Sequence, residues 1–306
     1  MQVSVVIPVY QAKNIIAELL RRLEISLLKI TSNYELLLID DGSTDNSWQA
    51  IEDAALENKN IKAIKLSRNF GQHYAITAGL DACGGTWVIV MDCDLQDRPE
   101  EIPALYSKAM EGFHIVFAQR INRTDSFWKK VLSKLFYKVY SLLAGIKYDG
   151  NVGNFGIYNK KVIETLKTMR EPMRAFSPMV RWVGFNKAFI TVEHGERFSG
   201  KSTYSLRKVF SLAGDIILAY SDKPLKIIIQ IGFLISFISF LIAVYYLVIY
   251  FEGRILVPGY ISIILSIWFL GGLIILNLGV IGLYISKIFA GIKNRPLYII
   301  DKSINI

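Results

Sequence analysis

Two long apolar runs in the last third of this 306-residue chain constrain its fold more than any other feature. Residues 227–251 and 255–286 contain no Asp, Glu, Lys or Arg. Each run exceeds the roughly 20 residues that a helix needs to cross about 30 Å of hydrocarbon. Helices in the core of a soluble domain are usually shorter and keep a polar face. The runs therefore predict a transmembrane hairpin within residues 224–290, with spans of about 226–251 and 258–287.

Basic residues flank the predicted hairpin on both sides. They are Arg207, Lys208, Lys223 and Lys226 before it, and Lys287, Lys293 and Arg295 after it. The connector EGRILVPG carries only one acid and one base. The positive-inside rule then places both flanks and both termini in the cytoplasm. The opening MQVSVVIPVY has no basic leader, so no signal peptide is predicted. We expect a multi-pass protein of the cell inner (plasma) membrane.

The segment before the hairpin, residues 204–223, has its apolar side chains near one helical face and its charges away from that face. This pattern is typical of an interfacial amphipathic helix at the lipid headgroups. An ordinary amphipathic helix packed on a sheet is the alternative. The net charge of +9 is spread along the chain and partly concentrated beside the hairpin. It favours an anionic membrane surface or a phosphate-bearing substrate over nucleic acid.

The residues before about 224 mix charged and apolar side chains as a globular domain does. Short apolar runs alternate there with helical segments, at 3–9, 35–40, 61–66, 87–92 and 115–119. This alternation predicts a mostly parallel sheet covered by helices. Ligands of such sheets bind outside the carboxyl ends of the strands. Polar or turn-forming residues occupy four of these ends: 8–10, 40–41, 67–69 and 92–94.

Asp92 and Asp94 flank a single residue at the end of one predicted strand. Two carboxylates aimed at nearly the same point are suitable ligands for Mg²⁺ or Mn²⁺, with phosphate oxygens of a substrate completing the coordination. Asp97 stands just before RPEEIP, where an aspartate can cap a helix. We therefore expect a metal site at Asp92 and Asp94, and a helix start at Asp97.

Several motifs together resemble one family. They are VVIPVY, LLLIDDGSTDNS, LSRNFGQHYAITAGLDACGG, VIVMDCDLQDRPEEIPAL, FSGKSTY, SDKPL and NRPLYII. The chain resembles the inverting GT-A fold glycosyltransferases of the dolichol-phosphate mannosyltransferase class, in glycosyltransferase family 2. Within that class it is most similar to bacterial polyisoprenyl-phosphate glycosyltransferases with a C-terminal membrane hairpin. The resemblance implies a Rossmann-like α/β GT-A domain at 1–203, the amphipathic helix at 204–223, the hairpin at 224–290 and a cytosolic tail at 291–306. It also implies a homotetramer.

The resemblance implies a role for individual residues at matching positions. The nucleoside would be lined by Pro8, Tyr10, Ile39 and Asp41, and the metal and diphosphate would be bound by Asp92, Asp94, Cys93 and Gln96. The sugar and acceptor would contact Arg120, and the diphosphate would also contact Arg197 and Lys201. The lipid phosphate would be bound by Lys130 and Ser133. The planar guanidinium of Arg197 suits two phosphate oxygens at once. An exposed surface arginine is the alternative for Arg197, and a solvated basic face is the alternative for Lys130 and Ser133.

Three departures from the family pattern affect the predicted chemistry. Gln11 and Ala12 stand where the early motif usually has Asn and Glu, and Thr203 stands where a lysine is usual. Asn154 replaces an aspartate proposed as general base, and Gly156 replaces an arginine. A lipid monophosphate, whose second pKa is about 6, is largely dianionic at neutral pH and needs no deprotonation. Asn154 is therefore compatible with a phosphate acceptor and argues against a hydroxyl acceptor.

The sequence predicts a metal-dependent transferase that moves a sugar from a nucleotide-sugar to polyprenyl (undecaprenyl) phosphate, for a cell-envelope glycan or lipopolysaccharide. A processive polysaccharide synthase is one alternative; its Q-x-x-R-W motif is matched by Arg181 and Trp182, but Pro178 occupies the glutamine position. A non-catalytic membrane scaffold that retains the fold is another. The sugar and the nucleotide base are not encoded in any motif.

Overall fold

The computed structural model describes residues 2–120, 152–193, 223–251 and 259–306. The described residues fall into two compact units. The first contains residues 2–120 and 152–193 together with Arg295–Ile306. The second contains two long helices within residues 223–294.

The first unit is built on an eight-stranded sheet in the order β7-β5-β6-β4-β1-β2-β3-β8. The strands are β1 (Val3–Val9), β2 (Tyr34–Asp40), β3 (Ile61–Leu66), β4 (Trp87–Val90), β5 (Ile115–Arg120), β6 (Val152–Asn159), β7 (Lys187–Val192) and β8 (Ile300–Ile304). The first five coincide with the five apolar runs, within two residues at either end. The sequence patterns did not identify the last three.

The sheet is mixed. β1 pairs in parallel with β2 and β4, β2 pairs in parallel with β3, and β5 pairs in parallel with β7. β6 runs antiparallel to both β4 and β5, and β8 runs antiparallel to β3. The expected parallel arrangement therefore holds for the four neighbouring strands β4-β1-β2-β3. It ends at β6, which is the antiparallel neighbour of β4.

Helices pack on the sheet between successive strands. They are α1 (Ile16–Leu28), α2 (Ser47–Glu57), α3 (Gln72–Ala82), α4 (Ile102–Met110), α5 (Lys160–Thr168) and α6 (Phe176–Trp182), with a 3-10 turn at Pro99–Glu101 before α4. In α1, Ile16, Leu19, Leu23 and Leu27 are buried. Their spacing of three and four residues places them on one helical face, which supplies the contact with the core.

The central strands provide most of the hydrophobic core. Every residue of β1 and β2 is buried. Each fully buried Val, Leu or Ile side chain contributes about 1.5–3 kcal/mol relative to an exposed one. Helix α3 approaches this core closely at Gly79, where an added Cβ would lie 2.4 Å from Val6 Cγ1 and 2.6 Å from Ile39 Cδ1. Only a glycine allows the helix to lie this near the sheet.

Part of the segment 291–306, expected to be a tail, joins the sheet as β8. β8 pairs with the edge strand β3, and Ser67 N donates to Ile299 O at 2.9 Å. Tyr298 Oη donates to Asp81 Oδ2 of α3 at 2.8 Å, and Asn305 Nδ2 donates to Ala55 O at 2.7 Å. The physical reason is that β3 would otherwise present unpaired backbone groups at the edge of the sheet.

The second unit consists of α7 (Lys223–Phe251) and α8 (Tyr260–Ile292). Within the described residues, the stretch Phe269–Ile292 of α8 is long and apolar enough to cross a membrane, with a mean hydropathy of 2.0. Leu225–Ile235 of α7 is a shorter apolar stretch. Both helices of the predicted hairpin are therefore present, and one of them has a candidate span. Apart from Lys223, the predicted interfacial helix lies outside the described residues.

Candidate active site

Asp92 and Asp94 follow the end of β4, beside the end of β1 in the parallel pair. The structure brings a third residue to them: Gln72, the first residue of α3, donates from Nε2 to Asp92 Oδ1 at 2.6 Å. Asp94 Oδ1 accepts from the backbone N–H of Gln96 at 3.1 Å. Leu95 between them has a φ of 60° and is buried. A left-handed residue without glycine's freedom indicates a tightly determined turn.

The carboxylates at this edge crowd one another. Burial, together with the neighbouring charges of Asp97 and Asp94, raises the pKa of Asp92 to about 7, and Arg120 opposes this shift. A cation between the carboxylates would relieve the repulsion. The donor chemistry of Asp92 and Asp94 thus fits Mg²⁺ or Mn²⁺. In the described part of the chain no group of three or more His, Cys, Asp or Glu side chains is suited to a metal.

Asp97 does not start a helix, contrary to the expectation from its position. The 3-10 turn has Arg98 as its N-cap and no side-chain capping bond. Asp97 is buried and accepts a hydrogen bond from Arg120 Nη2 at 3.1 Å. The cause is tertiary: the end of β5 brings a guanidinium to a carboxylate that burial would otherwise leave uncompensated. Asp97 therefore belongs to the site, as the partner of Arg120.

Arg120 and Asn154 lie on the paired strands β5 and β6. The guanidinium of Arg120 covers Gly153, where an added Cβ would lie 3.2 Å from Nη2. The carbonyl of Asn154 accepts a hydrogen bond from Tyr158 Oη at 2.9 Å. At Gly156 an added Cβ would lie 2.7 Å from Val116 O, so this position has no room for a larger side chain. The Gly156 departure thus has a packing reason.

The residues expected to line the nucleoside have different environments. Tyr10 is 43% exposed, whereas Pro8 is buried and Ile39 has no exposed surface. Asp41 is buried, and its two carboxylate oxygens accept from the backbone N–H groups of Phe70 at 2.7 Å and Gly71 at 2.9 Å. These bonds fix the loop that leads into α3. The side chain available to a ligand in this set is therefore that of Tyr10.

The loop after β1 is tied to the loop after β2 despite the unusual residues Gln11 and Ala12. The backbone N–H of Gln11 donates to Ser43 Oγ at 3.0 Å, and Gln11 Nε2 donates to Thr44 Oγ1 at 3.2 Å. The backbone N–H of Ala12 donates to Ser47 Oγ at 2.8 Å. Gln11 has a φ of 51°, which marks a sharp turn. These bonds order the loop after β1 without a glutamate at position 12.

Cys93 lies between the two aspartates and is partly exposed. Burial raises the pKa of its thiol to about 12, and the charges of Asp92 and Asp94 add to the effect. The thiol is therefore neutral at physiological pH when no cation is bound beside it.

Arg197, Lys201, Lys130 and Ser133 lie outside the described residues, as does Thr203. Of the processive-synthase motif, Pro178 is buried, Trp182 is 66% exposed, and Arg181 Cζ lies 5.7 Å from the centroid of the Phe117 ring. Sequence reasoning missed Gln72 as a partner of Asp92. Its place in NFGQHYA, just after a strand end on the ligand-binding edge, is the signal that indicates its position.

The fold and this site define a class. Residues 4–167 match the model of the family described as Glycosyl transferase family 2. The match covers more than half of the chain, and the chain belongs to this family.

Three relatives are similar over the whole chain. The uncharacterized glycosyltransferase YkcC of Bacillus subtilis (strain 168) is 37% identical over 308 residues, which is 100% of this chain and 95% of the relative. The undecaprenyl-phosphate 4-deoxy-4-formamido-L-arabinose transferase of Proteus mirabilis (strain HI4320) is 33% identical over 312 residues, which is 100% of this chain and 94% of the relative. The bactoprenol glucosyl transferase of Shigella phage SfII is 34% identical over 305 residues, which is 99% of this chain and 98% of the relative. The protein is therefore a glycosyltransferase, and two of these relatives are named for different sugars.

Proposed function

We propose that the protein transfers a sugar from a nucleotide-sugar to a polyprenyl phosphate, with inversion, and releases a nucleoside diphosphate. Undecaprenyl phosphate is the proposed acceptor. The observation that carries the proposal is the meeting of Asp92, Asp94 and the Asp97–Arg120 pair at the carboxyl edge of the sheet. The full-length similarity to transferases named for undecaprenyl phosphate and bactoprenol supports the choice of acceptor.

On the donor side, Asp92 and Asp94 would hold Mg²⁺ or Mn²⁺. When bound, the cation supplies positive charge that stabilises a leaving diphosphate. Tyr10 would contact the nucleoside, because its side chain is the exposed one of its set. Arg120, held by Asp97, would direct its guanidinium at the sugar or the acceptor phosphate. Such a preorganised charge stabilises a transition state without reorganisation during the reaction.

On the acceptor side, Asn154 would orient the nucleophile and not deprotonate it. An amide side chain does not take up a proton at physiological pH, so it cannot act as a general base. A phosphate monoester is already largely dianionic at neutral pH. The pairing of β5 with β6 brings Asn154 into the strand next to that of Arg120. A phosphate acceptor is thus the class of nucleophile that the site favours.

The acceptor is a lipid, and the membrane helices would bring the site to it. We propose that α7 and α8 cross the inner membrane as a hairpin, with both termini in the cytoplasm. This orientation is supported by basic residues at the start of α7, Lys223 and Lys226, and near the end of α8, Lys287 and Lys293. A homotetramer and a role in cell-envelope or lipopolysaccharide glycan synthesis belong to the same proposal.

The proposal is tested with purified full-length protein, undecaprenyl phosphate, Mg²⁺ and a panel of nucleotide-sugars. Mass spectrometry of the lipid should show one sugar added to undecaprenyl phosphate. Asp94→Asn and excess EDTA should each abolish transfer, because each removes the cation that the diphosphate requires. Asp53→Asn is the matched control, since Asp53 lies on the exposed surface of α2 and accepts a hydrogen bond from Gln49; it should keep full activity.

Three results would contradict parts of the proposal. Full activity of Asp94→Asn, or full activity in EDTA, would exclude the metal role. A long polymer made from nucleotide-sugar without lipid phosphate would indicate a processive synthase. Nucleotide binding without turnover across the whole panel would indicate a non-catalytic scaffold.

A further inference from the structure

The hydrogen bond from Gln72 to Asp92 joins two elements that are 20 residues apart in the chain. Gln72 begins α3, and Asp92 follows β4. At 2.6 Å this is a short contact for an amide donor and a carboxylate acceptor. The bond uses Oδ1 of Asp92, a residue that is partly exposed at the carboxyl edge of the sheet.

Gln72 is held in place from two directions. Asp41 accepts from the N–H groups of Phe70 and Gly71, which are the two residues immediately before it. Seven residues further along α3, the close approach of Gly79 to Val6 and Ile39 fixes the distance between helix and sheet. Helix α3 therefore cannot slide or rotate without breaking these contacts, and the amide of Gln72 has a defined position relative to Asp92.

The chemistry of the donor matters. A carboxylate that binds a cation should keep its full negative charge, and only its orientation should be constrained. A lysine or arginine at position 72 would fix the orientation but would also neutralise the charge. An amide N–H is a neutral donor, so it fixes one oxygen of Asp92 and leaves the charge available to a cation.

We propose that Gln72 is a positioning residue for the metal site: it orients the carboxylate of Asp92 and thereby sets the affinity for the divalent cation. This inference rests on the proposed function, because it assumes that Asp92 is a metal ligand. It also gives Asp41 a role through the backbone, as the residue that fixes the loop from which Gln72 extends.

The experiment measures Mn²⁺ binding to the full-length protein in detergent by electron paramagnetic resonance, which detects free Mn²⁺ directly. Each titration is done with Mn²⁺ alone and with the nucleoside diphosphate, among UDP, GDP and CDP, that most tightens Mn²⁺ binding to the wild type. Gln72→Met keeps the side-chain length but removes the donor. We expect about tenfold weaker Mn²⁺ binding, the size typical for loss of a group that orients a metal ligand.

The chain offers a matched control. Gln49 Nε2 donates to Asp53 Oδ1 at 2.8 Å on the surface of α2, so Gln49→Met removes the same kind of bond away from the site. It should bind Mn²⁺ as the wild type does. Gln72→Asn is titrated in parallel; it keeps the amide but shortens the side chain by one methylene, and it should weaken binding to a smaller degree than Gln72→Met. The thermal unfolding midpoint of each variant identifies a loss that reflects misfolding.

The outcomes separate the two proposals. If the wild type binds Mn²⁺ and folded Gln72→Met binds it equally well, the positioning role is wrong and the proposed function stands. Equal losses in the Gln49 and Gln72 variants would also overturn the positioning role. If the wild type binds no Mn²⁺ with any of the nucleoside diphosphates, the metal site itself is wrong.

Discussion

Asp97 and Arg120 form an ion pair in which the carboxylate side chain is 2% exposed and the guanidinium 34% exposed. Removing one partner of a buried pair leaves the other charge uncompensated and costs about 3–5 kcal/mol when both are fully buried. Because Arg120 keeps contact with solvent, water screens part of this loss. Removal of one partner alone should therefore destabilise the first unit, and the pair fixes the direction of Arg120.

Asp97→Asn tests both effects. We expect it to lower the free energy of unfolding by about 1–3 kcal/mol, because the paired charge is lost while the shape of the side chain is kept. Transfer should slow at saturating donor concentration, since Arg120 loses its fixed orientation. Glu193→Gln is the control: Glu193 pairs with Arg98 on the surface, where an ion pair contributes about 0–1 kcal/mol. Unfolding in urea and the rate of lipid glycosylation are the measurements; equal effects of the two changes would contradict the assignment.

At the same scale, the sequence identified some site residues and could not identify others. Asp92 and Asp94 were predictable because they follow a buried apolar run, and strand ends gather at one edge of a parallel sheet. The pairs Gln72–Asp92 and Asp97–Arg120 were not, because they join residues 20 and 23 positions apart through the tertiary fold. The local sequence predicted a helix cap at Asp97, but in the fold Asp97 instead pairs with Arg120 at the end of β5.

Among the elements, α3 is the one whose packing tolerates least change. At Gly79 a methyl group would collide with Val6 and Ile39, both buried in neighbouring strands. An added group in a packed core forces neighbours to move and typically costs about 1–3 kcal/mol. A helix displaced in this way would also carry Gln72 away from Asp92.

Gly79→Ala should therefore lower the free energy of unfolding by about 1–3 kcal/mol and also weaken Mn²⁺ binding. Gly84→Ala is the comparison, because an added Cβ there would make an ordinary 3.7 Å contact with Glu35 Oε1. It should change stability by much less. Urea unfolding followed by tryptophan fluorescence checks the first effect, and the Mn²⁺ titration checks the second. A Gly79→Ala protein as stable as the wild type would show that α3 can shift at no cost.

The strands also show which elements a sequence pattern can predict. β1 to β5 were recognised because their apolar runs are long and mostly buried. β7 contains only the short apolar run 188–190 and alternates between exposed and buried residues, and β8 is polar at its centre and almost entirely exposed. β6 includes two glycines, which are depleted in strands. Each of these three is specified by its partner in the sheet more than by its own composition.

On the scale of the whole molecule, the segment after α8 follows the two long apolar helices in sequence and contains the last strand of the sheet, β8. The apolar composition of α7 and α8 predicted both helices to within about five residues. The return of the chain to β3 was not predicted, because β8 carries polar and apolar residues without a clear period. Tyr298 lies just before β8 and is bonded to Asp81, which also accepts two hydrogen bonds from Arg170.

Tyr298→Phe removes a single hydrogen bond to a charged acceptor. We expect a loss of about 1 kcal/mol, because Arg170 remains to pair with Asp81. For a domain of this size that corresponds to a decrease of roughly 2–4 °C in the unfolding midpoint. Tyr34→Phe is the comparison, since Tyr34 Oη lies 3.4 Å from Glu24 Oε1 and makes a weaker bond. An unchanged midpoint for Tyr298→Phe would show that the segment is held by its strand pairing alone.

The position of β8 in the chain sets an order of events during synthesis. β3 leaves the ribosome early, but its outer partner β8 follows only after both long apolar helices have been translated. At roughly 5–20 residues per second this takes on the order of ten seconds or more. During that interval the edge of β3 remains open to pairing with other chains. The sheet is thus completed only after α7 and α8 have been made, so folding of the first unit ends after both helices of the second unit have been synthesised.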